Sequence, residues 1–177
     1  SIEFLWKINE ENLSREEIFE LLSEKDEDEN NFLHLAAQFA ESKEIFEFLW
    51  LKVSKIVENP KEFFMRKGKF DRNVLQNSSE NENDPEIFSF AFNLAENFCD
   101  GAKEKKNLIL EKNSENFSLL SLTANFASKS NLEFLLCKIL EIFGEKEMKK
   151  ILKREKGFLG RNLLSLAASN ENLNSIE

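Results

Sequence analysis

Apolar residues in this chain fall in short clusters with helical spacing, and the clusters recur. Asn31-Phe-Leu-His-Leu-Ala-Ala-Gln-Phe-Ala is echoed by Ser118-Leu-Leu-Ser-Leu-Thr-Ala-Asn-Phe-Ala and by Asn162-Leu-Leu-Ser-Leu-Ala-Ala, and faintly by Asn73-Val-Leu-Gln-Asn-Ser-Ser. The four anchors begin 42, 45 and 44 residues apart. Downstream of them, Ile45-Phe-Glu-Phe-Leu-Trp pairs with Ile87-Phe-Ser-Phe-Ala-Phe and with Leu132-Glu-Phe-Leu-Leu-Cys. Self-similarity at a fixed period of this length is the mark of a repeat architecture.

Each period predicts three helical pieces. A short helix follows the anchor, with Leu33, Ala36 and Ala37 on one face. A longer helix, about residues 44–57 in period one, is apolar on most sides, as suits a helix held between layers. Asp84-Pro85 supplies an N-cap and a first-turn proline to its counterpart, and Gly144 suits the end of a helix over 132–143. The third piece is brief. Ser14-x-x-Glu17 is a capping-box pattern before Ile18, Leu21 and Leu22, and Asn59-Pro60 opens the equivalent piece, with Gly68 as its stop. Met148, Ile151 and Leu152 lie at helical spacing before Gly157. No segment alternates apolar and polar residues for long, so no sheet is expected. The tracts 26–30, 69–72, 113–117 and 158–161 read as turns, or fingers.

The expected organisation is one repeat domain over 1–177. An outer helix of a preceding repeat occupies 1–12, because Ile2-Glu-Phe-Leu-Trp copies Phe46-Glu-Phe-Leu-Trp. Repeat one spans about 14–58, repeat two 59–100, repeat three 101–144 and a truncated repeat four 145–177. Each repeat should touch only its neighbours. Leu33, Leu120 and Leu164 should then be buried equivalents. The Phe residues that recur in phase (46, 48, 88, 90, 92 and 134), with Trp6 and Trp50, should be core. Asn77, Ser78 and Ser79 interrupt that core in repeat two, which should be distorted there or bonded internally.

Composition removes most catalytic apparatus. The chain has 18 Phe, no Tyr and one His among 177 residues, so neither a phenol nor a two-histidine metal site is available. The five glycines are scattered and form no phosphate loop. Cys99 and Cys137 sit in apolar helical patterns and read as small buried hydrophobes of a reducing compartment. The acidic tract at 26–29 lacks the turn glycine of a calcium loop. No cofactor or metal is expected, and no enzyme. A net charge of −9 disfavours nucleic acid as a partner, and no apolar run approaches the roughly 20 residues that span a bilayer.

The charges, unlike the core, do not repeat. Glu24 to Glu29 carries net −4, Arg66 to Arg72 carries +3, and Lys153 to Arg161 carries +3. Either this is a recognition pattern or it is unselected surface drift. Under the first reading Arg66, Lys67, Lys69, Arg72, Lys153, Arg154, Lys156 and Arg161 form a basic edge, with Asp26, Glu27, Asp28 and Glu29 as an acidic end.

The anchors resemble divergent ankyrin repeats, whose line is Asp-x-x-Gly-x-Thr-x-Leu-His-x-Ala-Ala. The threonine position holds Asn31, Asn73, Ser118 and Asn162, all able to cap the first helix, and the leucine is kept as Leu33, Leu75, Leu120 and Leu164. The histidine survives only as His34, the turn aspartate as Asp26 and the turn glycine as Gly160. The resemblance implies an all-α, ankyrin-like helical-repeat solenoid, with His34 bonding backbone near its own turn. The period of about 44 residues departs from the ankyrin length of about 33 and keeps a HEAT- or armadillo-like array as the alternative. It further implies a non-enzymatic, cytoplasmic protein-interaction module within a larger scaffold, channel or microbial effector. Another protein would be the partner, with self-association possible. An architectural spacer or oligomerisation segment is the competing function.

Overall fold

The computed structural model describes residues 2–170, and these are all-α: eleven helices and no strand. In chain order they are α1 (Ile2–Asn12), α2 (Arg15–Ser23), α3 (Phe32–Phe39), α4 (Lys43–Ile56), α5 (Pro60–Met65), α6 (Val74–Ser78), α7 (Pro85–Asn97), α8 (Ala102–Leu110), α9 (Leu119–Phe126), α10 (Lys129–Arg154) and α11 (Leu163–Ser169). No helix among the described residues is long and apolar enough to cross a membrane.

Side chains start most of these helices. Ser14 and Glu17 close the capping box of α2, and Asp84 with Pro85 opens α7. The anchor residues all cap: Asn31 Oδ1 accepts from the Leu33 and His34 amides, Asn73 from Gln76, Ser118 from Ser121 and Asn162 from Ser165. Helix lengths are irregular. Helix α5 stops at Met65, short of Gly68. Gly144, at a φ of 74°, ends the first segment of α10 as expected, and a second segment carrying Met148, Ile151 and Leu152 follows it to Arg154.

Helix α6 is the shortest, and the serines at its end bond its own backbone. Ser78 Oγ donates to the Leu75 carbonyl and Ser79 Oγ to that of Gln76, at 2.8 and 2.7 Å, and both side chains are fully buried. Local bonds of this kind offer the chain an alternative to continued helix. The interruption in period two is therefore both distorted and internally satisfied.

Helix α3 packs on α6 and α9 on α11, while α4, α7 and α10 follow one another on the outer side. The recurrent aromatics join periods edge to face. Trp6 meets Phe48, Phe46 meets Phe90, and Phe134 meets both Phe88 and Phe92, with centroids 5.6–6.3 Å apart. Such pairs add to the burial of the rings themselves.

Four five-residue turns precede the anchors, and each is closed by the same bond. The amide of Asp26 donates to the Asn30 carbonyl, Gly68 to Arg72, Asn113 to Phe117 and Gly157 to Arg161, at 2.8–2.9 Å. Isolated antiparallel bridges brace two necks, Lys25 to Asn31 and Lys156 to Asn162. The turns alternate between two kinds. In the first and third, an Asx oxygen (Asp26, Asn113) accepts two amides of its own turn, and one residue is left-handed, Glu29 at 64° and Asn116 at 65°. In the second and fourth a glycine takes the Asx place, and two successive residues are left-handed, Phe70 and Asp71, then Leu159 and Gly160. The alternation extends to the helix ends. Asn81 Nδ2 donates to the Ala37 and Ala40 carbonyls, and Asn170 Nδ2 to those of Ala124 and Ala127. Odd periods thus resemble each other, as do even ones.

The glycine is required where the preceding period approaches. A Cβ on Gly68 would lie 2.5 Å from Asn30 Oδ1 and 3.1 Å from the His34 ring. Asn30 cannot easily yield, because its oxygen accepts the Lys69 amide. Gly68→Ala is expected to cost about 1–3 kcal/mol in urea unfolding; an unchanged midpoint would show that the two periods are not in tight contact there.

Three expectations need correction. Leu33 and Leu120 are fully buried, but Leu164 is 83% exposed. No described helix lies over it in the way that α4 lies over α3. Cys137 is exposed and only Cys99 is half-buried; both are free thiols. Arg72 is not part of an exposed edge but is buried, as described next.

Candidate interaction surface

The turn charges largely satisfy one another. Lys69 of the second turn reaches Asp28 of the first at 2.7 Å, and Lys67 lies 4.0 Å from Glu111. Arg72, 8% exposed, bonds Glu80 at 2.6 Å and crosses to Glu115 of the third turn at 2.8 Å. Its guanidinium also faces the Phe70 and Phe126 rings. Arg66 covers the Phe63 ring at 4.9 Å. The alternating signs therefore bind neighbouring turns together. Asp26, Glu27 and Glu29 stay exposed beside Asp28, with Glu29 held by Lys25.

The fourth turn differs. Lys153, Arg154, Lys156 and Arg161 are exposed, and none forms an ion pair among the described residues. The eight basic residues proposed for one edge thus divide into a second-turn group with internal partners and a fourth-turn group facing solvent.

His34 is structural. In the neutral ring, Nε2 donates to the Arg66 carbonyl at 3.0 Å, and Nδ1 accepts the Asn31 amide at 3.3 Å. It ties its own turn to the next period, farther than the resemblance implied. Burial lowers its pKa, which keeps it neutral. The Cys99 thiol is pushed up by burial, so it is a poor nucleophile. No group of three or more His, Cys, Asp or Glu among the described residues could hold a metal.

An open groove crosses the ends of the short helices. Gln38, Glu80, Asn125 and Ser169 line it, each seven residues after its anchor, with Phe39 and Phe126 beside them. Two of these pairs join across periods: Gln38 Nε2 donates to Glu80 at 3.3 Å, and Ser169 Oγ to Asn125 Oδ1 at 3.4 Å. Burial raises the Glu80 carboxyl, against the opposing pull of Arg72. The groove sets amide, carboxylate and hydroxyl groups, with the Arg161 guanidinium, beside two aromatic rings. None of these groove residues was singled out from the sequence. The signal was present in the paired triplets Gln38-Phe39-Ala40 and Asn125-Phe126-Ala127.

No protein-family model matches the chain, and no curated protein matches it.

Proposed function

We propose that the chain is a non-enzymatic protein-interaction module built as an ankyrin-like helical-repeat solenoid, and that it holds an extended segment of a protein partner in the amide-lined groove. The observation that carries the reading is the recurrence of Gln38, Glu80, Asn125 and Ser169 at one position of successive periods, open on a single groove. Repeat arrays bind through surfaces assembled in this way from successive repeats. The turn that recurs every 42–45 residues supports the array, and the resemblance of the anchors supports its ankyrin-like kind. The exposed basic residues of the fourth turn would steer an acidic stretch of the partner toward one end. Two free thiols fit a reducing, cytoplasmic location.

Capture from a lysate on the immobilised chain tests this proposal against the spacer reading. A protein retained by the wild type and by Lys103→Glu on the outer surface, but lost with Gln38→Arg and Asn125→Arg together, supports the groove. No retained protein, or one indifferent to the groove substitutions, removes it.

A further inference from the structure

A second cleft, of about 660 Å³, opens between α2, the end of α4 and α5. Its floor is apolar, with Phe19 and Ile56 half-buried and Val57 and Phe63 buried. Its rim is acidic, with Glu16 and Glu20 from α2 and Glu58 and Glu62 from the α4–α5 side. All four carboxylates are exposed, and none forms an ion pair among the described residues. The two cations that also line the cleft are engaged elsewhere. Arg15 donates to the Lys55 and Ile56 carbonyls at 3.0–3.3 Å, and the Arg66 guanidinium covers the Phe63 ring at 4.9 Å. The C-terminal end of α4 adds a partial negative charge of its own.

The corresponding junctions further along the chain are bridged by lysine. Lys61 of α5 lies 3.6 Å from Glu104 of α8, and Lys106 of α8 reaches Glu147 of α10 at 2.6 Å. Counted from the helix caps Ser14, Asn59 and Gly101, Glu16 holds the place of Lys61, and Glu62 holds that of Glu104. Two carboxylates thus stand where the next junction has an ion pair. Like charges repel, and a cation placed between them relieves both. A bare metal ion is the wrong occupant. No group of three or more His, Cys, Asp or Glu among the described residues could hold one, and it would leave the apolar floor uncovered. The side chain that the fold itself uses at the next junction does fit. A lysine brings an ammonium to the carboxylates and a methylene stem to the floor.

We propose that this cleft binds a lysine-bearing segment of a partner protein, with the ammonium between Glu16 and Glu62 and an apolar neighbour on Phe19 and Ile56. Glu20 and Glu58 extend the acidic rim for a second basic residue. Opposed charges of this kind fix orientation and raise the association rate. The cleft shares no residue with the groove lined by Gln38 and Asn125, so it does not rest on that reading.

Fluorescence anisotropy of a fluorescein-labelled Gly-Leu-Lys-Ala-Leu-Lys-Gly peptide, titrated with the 177-residue chain at moderate salt, tests it. The wild type is expected to bind. Glu16→Lys supplies from within the lysine that the next junction has, and it should weaken binding at least about tenfold, one decade in the dissociation constant. The position is exposed, so circular dichroism should show an unchanged fold. Glu62→Gln removes a charge without adding bulk and should weaken binding about threefold. Glu133→Lys, at an exposed position of α10, changes the net charge as much as Glu16→Lys does. It should alter binding by less than about twofold, because charges farther apart than the screening length hardly interact. Free spermidine should displace the labelled peptide only at a higher concentration than the unlabelled peptide needs. Absence of peptide binding overturns the proposal, as does an equal loss with Glu133→Lys or equal binding of a peptide with glutamate in place of lysine. Displacement by spermidine at a lower concentration than the unlabelled peptide overturns it too, and assigns the cleft to free amines.

Discussion

Leu120→Ala should lower unfolding free energy by about 2–5 kcal/mol, while Leu164→Ala, at the same place in its period, should change it by less than about 0.5 kcal/mol. Both leucines occupy the second position of a short helix after a capping anchor, Ser118 and Asn162. Their surroundings differ. Leu120 is fully buried, whereas Leu164 faces solvent. Removing Leu120 leaves a cavity that the helices around it cannot fully close, which adds to the lost transfer free energy. Removing Leu164 takes away surface that was already wet. Urea titrations of the two variants check the pair. Equal losses would mean that burial at this position does not depend on the helix stacked above.

Arg72→Met should cost about 3–5 kcal/mol at pH 7, because breaking a buried ion pair from one side strands the charge left behind. Two carboxylates would be stranded here, Glu80 and Glu115, with only 17% and 30% of their side-chain surface exposed. Methionine replaces the aliphatic stem of the arginine but not its guanidinium, which also lies against the Phe70 and Phe126 rings, so the pH dependence is what separates charge from packing. The pH dependence follows from Glu80. Burial raises its pKa, Glu115 adds to the rise, and Arg72 opposes it. A carboxyl raised in the folded state favours folding while protonated, and that contribution is lost as pH rises through its folded value. Without Arg72 the opposing pull is gone and the window extends upward. The deficit of Arg72→Met should therefore shrink between pH 7 and pH 5. Carboxyls held low act in the other direction, as with Glu147 at about 2 beside Lys106 and Lys150. They lose their contribution only as pH falls below the ordinary carboxylate range, so they do not mask the effect. A deficit equal at both pH values would assign the loss to packing alone.

Much of the local architecture was legible in the residues. Ser14 with Glu17, Asp84 with Pro85, and the four anchor residues act as caps because a cap needs only a side chain within three residues of the amides it serves. Of the recurrent Phe residues, 46, 88 and 92 are buried and 48, 90 and 134 pack half-buried against the core, because apolar spacing is itself local. The two kinds of turn were legible too, in Lys67-Gly68 with Arg72-Asn73 and again in Lys156-Gly157 with Arg161-Asn162, 89 residues on. A single period of about 44 residues averages over that alternation, whose true repeat is two periods long.

The residues alone determined that this protein is helical, where most of its helices begin, and which side chains could form a core. Only the tertiary structure decided which of those side chains are covered and which charges meet. Burial and ion pairing depend on what the neighbouring period brings within a few ångströms, not on a residue's own place in the repeat. Arg72 and Arg161 hold the same place, yet the first is sealed between Glu80 and Glu115 and the second faces water. The acidic first turn and the basic second turn read as separate features in one dimension, and the fold sets Asp28 against Lys69. Gln38 and Asn125 lie 87 residues apart in the chain and look like ordinary helix surface there. They line a single groove only because the fold brings the ends of their helices, α3 and α9, to one side of the molecule.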